Sequence, residues 1–247
     1  MQKIIISVIL FILSFLLHSC DMNNPYYDAG DLLLKSETKW LVESDSESKL
    51  YKVSFREYDI EGNLILDESF DDTGVLLIRR KNTYSGDTKY EEYVVFKDGQ
   101  TFESKLNSYH FNSDGLIDYS VCLNTSGDTV NITRFEYDAR GNLIIEKVFN
   151  ATGELIGKKN YHYIYNPNGL VVSRHMRDDL VGGTNSKDSV IYDMNSSRVD
   201  RFTYNNDGVL EYVYTYIYDR FGKVHKEIIT NRDGGIIKKY IYEYLFY

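Results

Sequence analysis

The residues with the richest chemistry are sparse and scattered. Beyond the first twenty positions the chain has one cysteine, Cys122, and four histidines, His110, His162, His175 and His225, no two at zinc-ligand spacing. Cys122 has no His or Lys beside it in sequence, so it reads as a small apolar strand residue rather than a nucleophile. Acidic stretches such as Asp71-Asp72-Thr73-Gly74 and Asn231-Arg232-Asp233-Gly234 superficially resemble calcium loops. A calcium-binding helix-loop-helix also needs alternating acids and a glutamate at roughly the twelfth position, and none supplies both, so these read as turns. There is no nucleophile elbow, phosphate loop or dinucleotide fingerprint. Carboxylates for glycoside hydrolysis can be drawn from any two strands, which makes their presence uninformative. The expectation is no catalytic residue, no metal and no cofactor.

Tyrosine is the exception, with 23 copies. Leu210, Tyr212, Tyr214, Tyr216 and Tyr218 alternate with Val209, Glu211, Val213, Thr215 and Ile217, and Tyr240, Tyr242, Tyr244 and Phe246 repeat the pattern. A period of two places each set on one face of a strand. An aromatic face stacks on sugar rings while its hydroxyls hydrogen-bond, so Tyr212, Tyr214, Tyr216, Tyr240, Tyr242 and Tyr244 are the candidate ligand-binding residues. Cross-strand structural packing is the plainer reading of the same residues.

The elements that position them are set by a repeat. Glycines 62, 86, 115, 141, 169 and 222, with Asn195 in one gap, recur every 24 to 29 residues. A second series, Gly74, Gly99, Gly127, Gly153, Gly182, Gly208 and Gly234, interleaves at 25 to 29. In each turn an Asp, Asn or Ser can bond its own backbone, and the glycine a few places on accepts φ > 0, which suits a four-residue turn with a bulge. The alternation predicts an all-β antiparallel up-and-down meander of about fourteen strands from seven tandem double-hairpin units. Each turn series lines one edge. Accumulated twist curls so wide a sheet into an open shell or barrel-like form.

Residues 1–19 combine Lys3 with an apolar run from Ile4 to Leu17, the grammar of a secretory signal. Leu17-His18-Ser19-Cys20 resembles a lipobox, which implies that Cys20 is lipidated and begins the mature chain. Residues 20–48 read as a tether with a possible first strand at Leu32 to Leu34 and Lys39 to Val42, and 49–247 as the repeat domain. The formal net charge of -9 becomes -10 without Lys3, which disfavours nucleic acid as a partner.

Phe135-Glu136-Tyr137-Asp138-Ala139-Arg140-Gly141-Asn142-Leu143 and Tyr216-Ile217-Tyr218-Asp219-Arg220-Phe221-Gly222 resemble the core motif of the YD-repeat (Rhs-repeat) class. The resemblance implies curved antiparallel sheets used as shells or binding surfaces, some linked to carbohydrate recognition. The self-cleaving core and variable C-terminal enzyme of the large toxin-enclosing members have no counterpart here. The expected function is therefore a lipid-anchored envelope protein, held to an outer membrane through its N-terminal lipid on the periplasmic or surface-exposed face, that binds a glycan or envelope protein without catalysis or serves as a scaffold. An envelope polysaccharide or peptidoglycan hydrolase and a purely structural spacer are the alternatives. A lipid-embedded outer-membrane barrel ranks below both, because charged residues such as Lys238, Glu211 and Lys158 interrupt the strand faces.

Overall fold

The computed structural model describes residues 33–43, 48–179, 185–192, 198–205 and 207–247. Cys20 and the signal segment, Gly182 and Asn195 lie outside these. Every described element is a strand: β1 (Leu34–Val42), β2 (Lys49–Tyr58), β3 (Leu64–Phe70), β4 (Leu76–Ser85), β5 (Thr88–Lys97), β6 (Gln100–Phe111), β7 (Ile117–Leu123) and β8 (Thr129–Tyr137) in the first half. The second half holds β9 (Leu143–Asn150), β10 (Leu155–Tyr165), β11 (Val171–Asp178), β12 (Asn185–Tyr192), β13 (Arg198–Tyr204), β14 (Leu210–Tyr218), β15 (Val224–Asn231) and β16 (Ile236–Phe246).

Each strand pairs antiparallel with its chain neighbours, and β1 pairs with β16, so the sheet is a closed barrel. The strand count is sixteen rather than about fourteen. Fourteen reversals separate fifteen strands, and the expected tether supplies one more, β1. That strand also explains closure. Fifteen alternating strands would bring two parallel edges together, whereas sixteen bring β1 and β16 together antiparallel, with Glu37 opposite Tyr244 and Leu41 opposite Tyr240. Closure removes the exposed edges that an open meander would leave for aggregation.

The turns carry out their expected chemistry. Asp59 Oδ1 accepts from the backbone N–H of Glu61 and Asn63, while the Gly62 N–H donates to the Asp59 carbonyl at φ 85°. The same arrangement recurs at Asp71, Asn112, Asn124, Asp138, Asn150, Asn166, Asn205, Asp219 and Asn231. Among the described residues two turns differ from the four-residue expectation. Ser85 pairs with Thr88 and Lys97 with Gln100, leaving two-residue loops. In the second loop Asp98 (φ 53°) and Gly99 (φ 74°) both take positive φ, the geometry whose twist matches the flanking strands.

Strand alternation defines two faces, and contacts between non-neighbouring strands show which is concave. Lys39 on β1 meets Glu227 on β15 at 2.6 Å, and Lys238 on β16 meets Asp72 in the β3–β4 turn at 2.6 Å. Side chains converge like this only on the inside of a curved sheet. The buried polar residues Ser54, Asp67, Ser69, Asn82, Glu91, Asp188 and Glu227 share that inner face through the registers. Barrels of roughly eight strands are filled by their own side chains, whereas those of about sixteen leave room for a channel. Among the described residues no large side chain is fully buried, as expected of the wider class.

Candidate binding surface on the inner wall

All six candidate tyrosines point inward, three on β14 and three on β16, with only β15 between them. Glu227 on β15 lies opposite Tyr216 on one side and Tyr240 on the other. The β16 set is built into the wall. The Tyr242 hydroxyl donates to Glu227 Oε2 at 2.7 Å, and the Lys39 ammonium reaches the same oxygen while sitting 4.0 Å from the centre of the Tyr240 ring. Tyr244 donates to the Val224 carbonyl, and its ring stacks on Tyr242. Tyr240 is only 3% exposed. Burial first, and then the Glu227 charge, hold the Tyr240 and Tyr242 phenols above their ordinary range. These three side chains present no stacking platform, whereas Tyr212 on β14 is 37% exposed.

Two ionic clusters that sequence reading did not single out dominate the rest of the wall. On β2, β3 and β4, Asp67 sits between Arg56, 3.6 Å away, and Arg80, 3.0 Å away, with the Arg80 guanidinium over the Tyr93 ring at 5.3 Å. On β11, β12 and β13, Asp188 sits between Arg174 at 2.5 Å and Arg201 at 3.2 Å, with Arg201 over the Tyr214 ring at 5.3 Å. The signal was in the sequence: Asp67, Arg80 and Tyr93, like Asp188, Arg201 and Tyr214, are spaced by the same 13 residues that separate successive turns. Such spacing places residues on neighbouring strands at matched distances from the turn between them, and therefore side by side.

Glu37 lies beside the first cluster, 3.5 Å from Arg56. Burial nonetheless raises its carboxyl above the usual carboxylate value, outweighing Arg56 and Lys39. Carboxylates elsewhere on the wall are partnered similarly. Glu146 accepts from Lys159 and the Tyr161 hydroxyl, and Glu91 from Asn107 and the Tyr109 hydroxyl.

Among the described residues four buried side-chain atoms have no hydrogen-bond partner: Asp67 Oδ1, Asn82 Oδ1, Arg201 Nε and Thr203 Oγ1. All four belong to inward-facing residues at or next to the two clusters. A buried polar atom without a hydrogen bond costs about 1–3 kcal/mol, so each is an unmet hydrogen-bonding demand on the inner wall.

Residues of catalytic type are spread apart. His110 stacks on Tyr119 with ring centres 4.3 Å apart, and His162 meets His175 edge-on across two strands on the outer face. Cys122 faces inward, and burial pushes its thiol up, away from the reactive thiolate. Among the described residues no cluster of His, Cys, Asp and Glu has the geometry to hold a metal.

The outer wall is charged at mid-strand. Lys81, Glu92 and Arg134 are exposed there, and Arg79 pairs with Glu68 and Lys147 with Glu136 across neighbouring strands. Lys238, which on sequence grounds weighed against a lipid-facing surface, points inward and has no bearing on it.

No protein-family model and no curated protein matches the chain. Among solved structures it is similar to a porin-like protein from Bacteroides uniformis, at 13% identity and TM-score 0.52, covering 87% of this chain and 96% of that one. A porin-like protein from Bacteroides vulgatus aligns at 11% identity and TM-score 0.52, covering 86% of this chain and 99% of that one. At this identity the likeness establishes the fold, an up-and-down β-barrel of matching extent.

Proposed function

We propose that this chain is a lipid-anchored protein of the bacterial cell envelope whose barrel stands in water and binds a polar ligand on its inner wall without catalysis. The lipobox-like Leu17-His18-Ser19-Cys20 supports the anchor, and the Asx-and-glycine grammar of the turns supports kinship with YD-repeat shells. The observation that carries the binding role is the set of partnerless polar atoms beside the inward tyrosines. The charge-laden interior is unlike the dry core of a purely structural module.

A second reading, a pore embedded in the outer membrane, draws on the closed barrel and on the description of its structural neighbours as porin-like. The outer wall argues against it. Arg79, Lys81, Arg134 and Lys147 all face outward near the middle of strands, and each cation at bilayer mid-depth costs roughly 2–4 kcal/mol. Together the four would cost about as much as the whole stability of an ordinary domain, about 5–15 kcal/mol.

Envelope oligosaccharides titrated into the full chain test the binding role. Saturable binding that Tyr212→Ala weakens supports it, and the absence of binding by any glycan or envelope extract overturns it. Palmitate labelling of cells producing the chain tests the anchor separately: label lost in Cys20→Ala is expected, and label retained overturns it.

A further inference from the structure

The second ionic cluster continues into a lateral line along the inner wall. Tyr163, Arg174, Asp188, Thr203, Tyr212 and Asn231 lie opposite one another in turn across β10 to β15. Arg201 is two residues from Thr203 on β13, so both face inward, and they lie opposite Tyr214 and Tyr212 on β14. The two atoms without partners here, Arg201 Nε and Thr203 Oγ1, are both able to donate. At the other cluster the two atoms without a hydrogen bond, Asp67 Oδ1 and Asn82 Oδ1, are both acceptors, and Asp67 Oδ1 faces the Arg56 guanidinium at 3.6 Å. The two clusters share the same arginine–aspartate–arginine core, but at the first Glu37 also lies on Arg56 and balances the charge, whereas the second has no such carboxylate among its described contacts.

Charge points the same way. Each Asp188 oxygen is taken by one arginine, Oδ2 by Arg174 and Oδ1 by Arg201, so two guanidiniums face one neutralised carboxylate and the cluster is left with one positive charge. A planar guanidinium with a free N–H beside a free hydroxyl fits a carboxylate or sulfate oxygen pair. Beside them Tyr212 offers the exposed ring that the β16 tyrosines lack. Donors for an anion next to a sugar-sized aromatic platform match one ligand class better than a neutral sugar or a bare anion.

We propose that the inner wall at β11 to β14 binds an acidic saccharide, with Arg201 and Thr203 holding its carboxylate or sulfate group and Tyr212 stacking on the ring that bears it. This rests on the reading of the inner wall as a binding surface and specifies the ligand. The ring supplies apolar contact, and the anion completes the orphaned donors.

Calorimetric titration of the full chain with a uronic-acid oligosaccharide, its neutral counterpart of equal length, and inorganic sulfate tests it. The acidic oligosaccharide is expected to bind at least about tenfold more tightly than the neutral one, as for a charge-assisted hydrogen bond. Thr203→Val and Arg201→Lys, which keeps the ion pair to Asp188, should remove most of that preference. Tyr212→Ala should weaken both sugars, and Glu92→Gln on the outer wall should change neither. Equal binding of acidic and neutral sugars, both weakened by Tyr212→Ala, overturns the acidic specificity while leaving the binding role standing. Sulfate binding as tightly as the acidic oligosaccharide overturns the saccharide part. Binding of neither sugar, with acidic peptide or protein bound instead, overturns this ligand class without touching the inner-wall role.

Discussion

Lys39 of β1 passes over β16 to reach Glu227 of β15, its ammonium 2.6 Å from the carboxylate, and so ties together two strands that share no backbone hydrogen bond. Only 7% of the Glu227 side chain is exposed. Lys39→Met would leave that carboxylate with the Tyr242 hydroxyl and no cation on the same oxygen. Removing one partner of such a pair costs about 3 kcal/mol. Urea unfolding should show that loss, and adding Glu227→Gln should recover most of it. A loss below about 0.5 kcal/mol would mean that the contact contributes nothing to closure.

Tyr163 donates to the carbonyl of Leu143, and Tyr244 and Tyr84 donate to Val224 and Leu64. In each case the acceptor is the first residue of the preceding strand, two positions after a turn glycine and twenty before the tyrosine. The bulge after the turn displaces that carbonyl from the ladder, and the register shifts at Tyr58, Tyr137 and Tyr218 mark the displacement. Tyr163→Phe and Tyr244→Phe should therefore each cost about 1 kcal/mol. Their effects should add in the double variant, because β10 and β16 do not touch. Strong non-additivity in denaturant melts would contradict two independent carbonyl locks.

This tyrosine bond shows where sequence reading stops. Glycine and Asx spacing located the reversals because turn conformation is a local property, decided within five residues. Alternation sorted Tyr212 from Val213 and Tyr242 from Glu243, yet a period of two gives both faces without saying which is concave. Curvature comes from closure, and closure depends on β1, whose Leu34–Val42 stretch has no repeat to announce it. The six tyrosines are consequently alike in the sequence. The structure divides them: Tyr240, Tyr242 and Tyr244 are wall and Tyr212 is open. The 13-residue spacing of Asp188 and Arg201 is visible in the sequence, but Arg174 becomes a neighbour of Asp188 only through register.

The turn carboxylates give the protein an acid-sensitive term. Asp59 is held below its ordinary 3.8 chiefly by the Asn63 side-chain amide and then, against slight burial, by backbone N–H groups. Asp71 is lowered chiefly by the Thr73 hydroxyl. For Asp138, burial opposes the ion and is outweighed by hydrogen bonds from Asn142, Tyr165 and Arg140. A carboxyl with a depressed folded-state pKa stabilises the fold above its unfolded value, and that contribution is lost as pH falls through the folded value. Asparagine already opens the equivalent turns at Asn112, Asn124, Asn150, Asn166, Asn205 and Asn231, so it fits the geometry without titrating. The Asp59→Asn, Asp71→Asn, Asp138→Asn triple variant should match the parent near pH 7 and lose less stability below about pH 3.8. Parallel acid-unfolding curves for the two proteins would show that these turns do not set the acid limb.

The outer wall decides whether the barrel stands in water or lipid. A lipid-embedded barrel presents an uninterrupted apolar band at mid-depth, but here Glu92 lies opposite Lys81 and Arg134 opposite Lys147, all facing outward. Cys20→Ser removes the proposed lipidation site and leaves that wall unchanged. The variant should purify from the aqueous fraction without detergent, remain monodisperse, and give no conductance steps when added to a planar bilayer. Replacing Lys81, Glu92, Arg134 and Lys147 with leucine should reverse the first two properties, because it exposes a contiguous apolar patch to water. If the Cys20→Ser chain instead requires detergent and conducts ions, the charged wall must be buried in protein within an assembly, and the water-standing barrel is wrong.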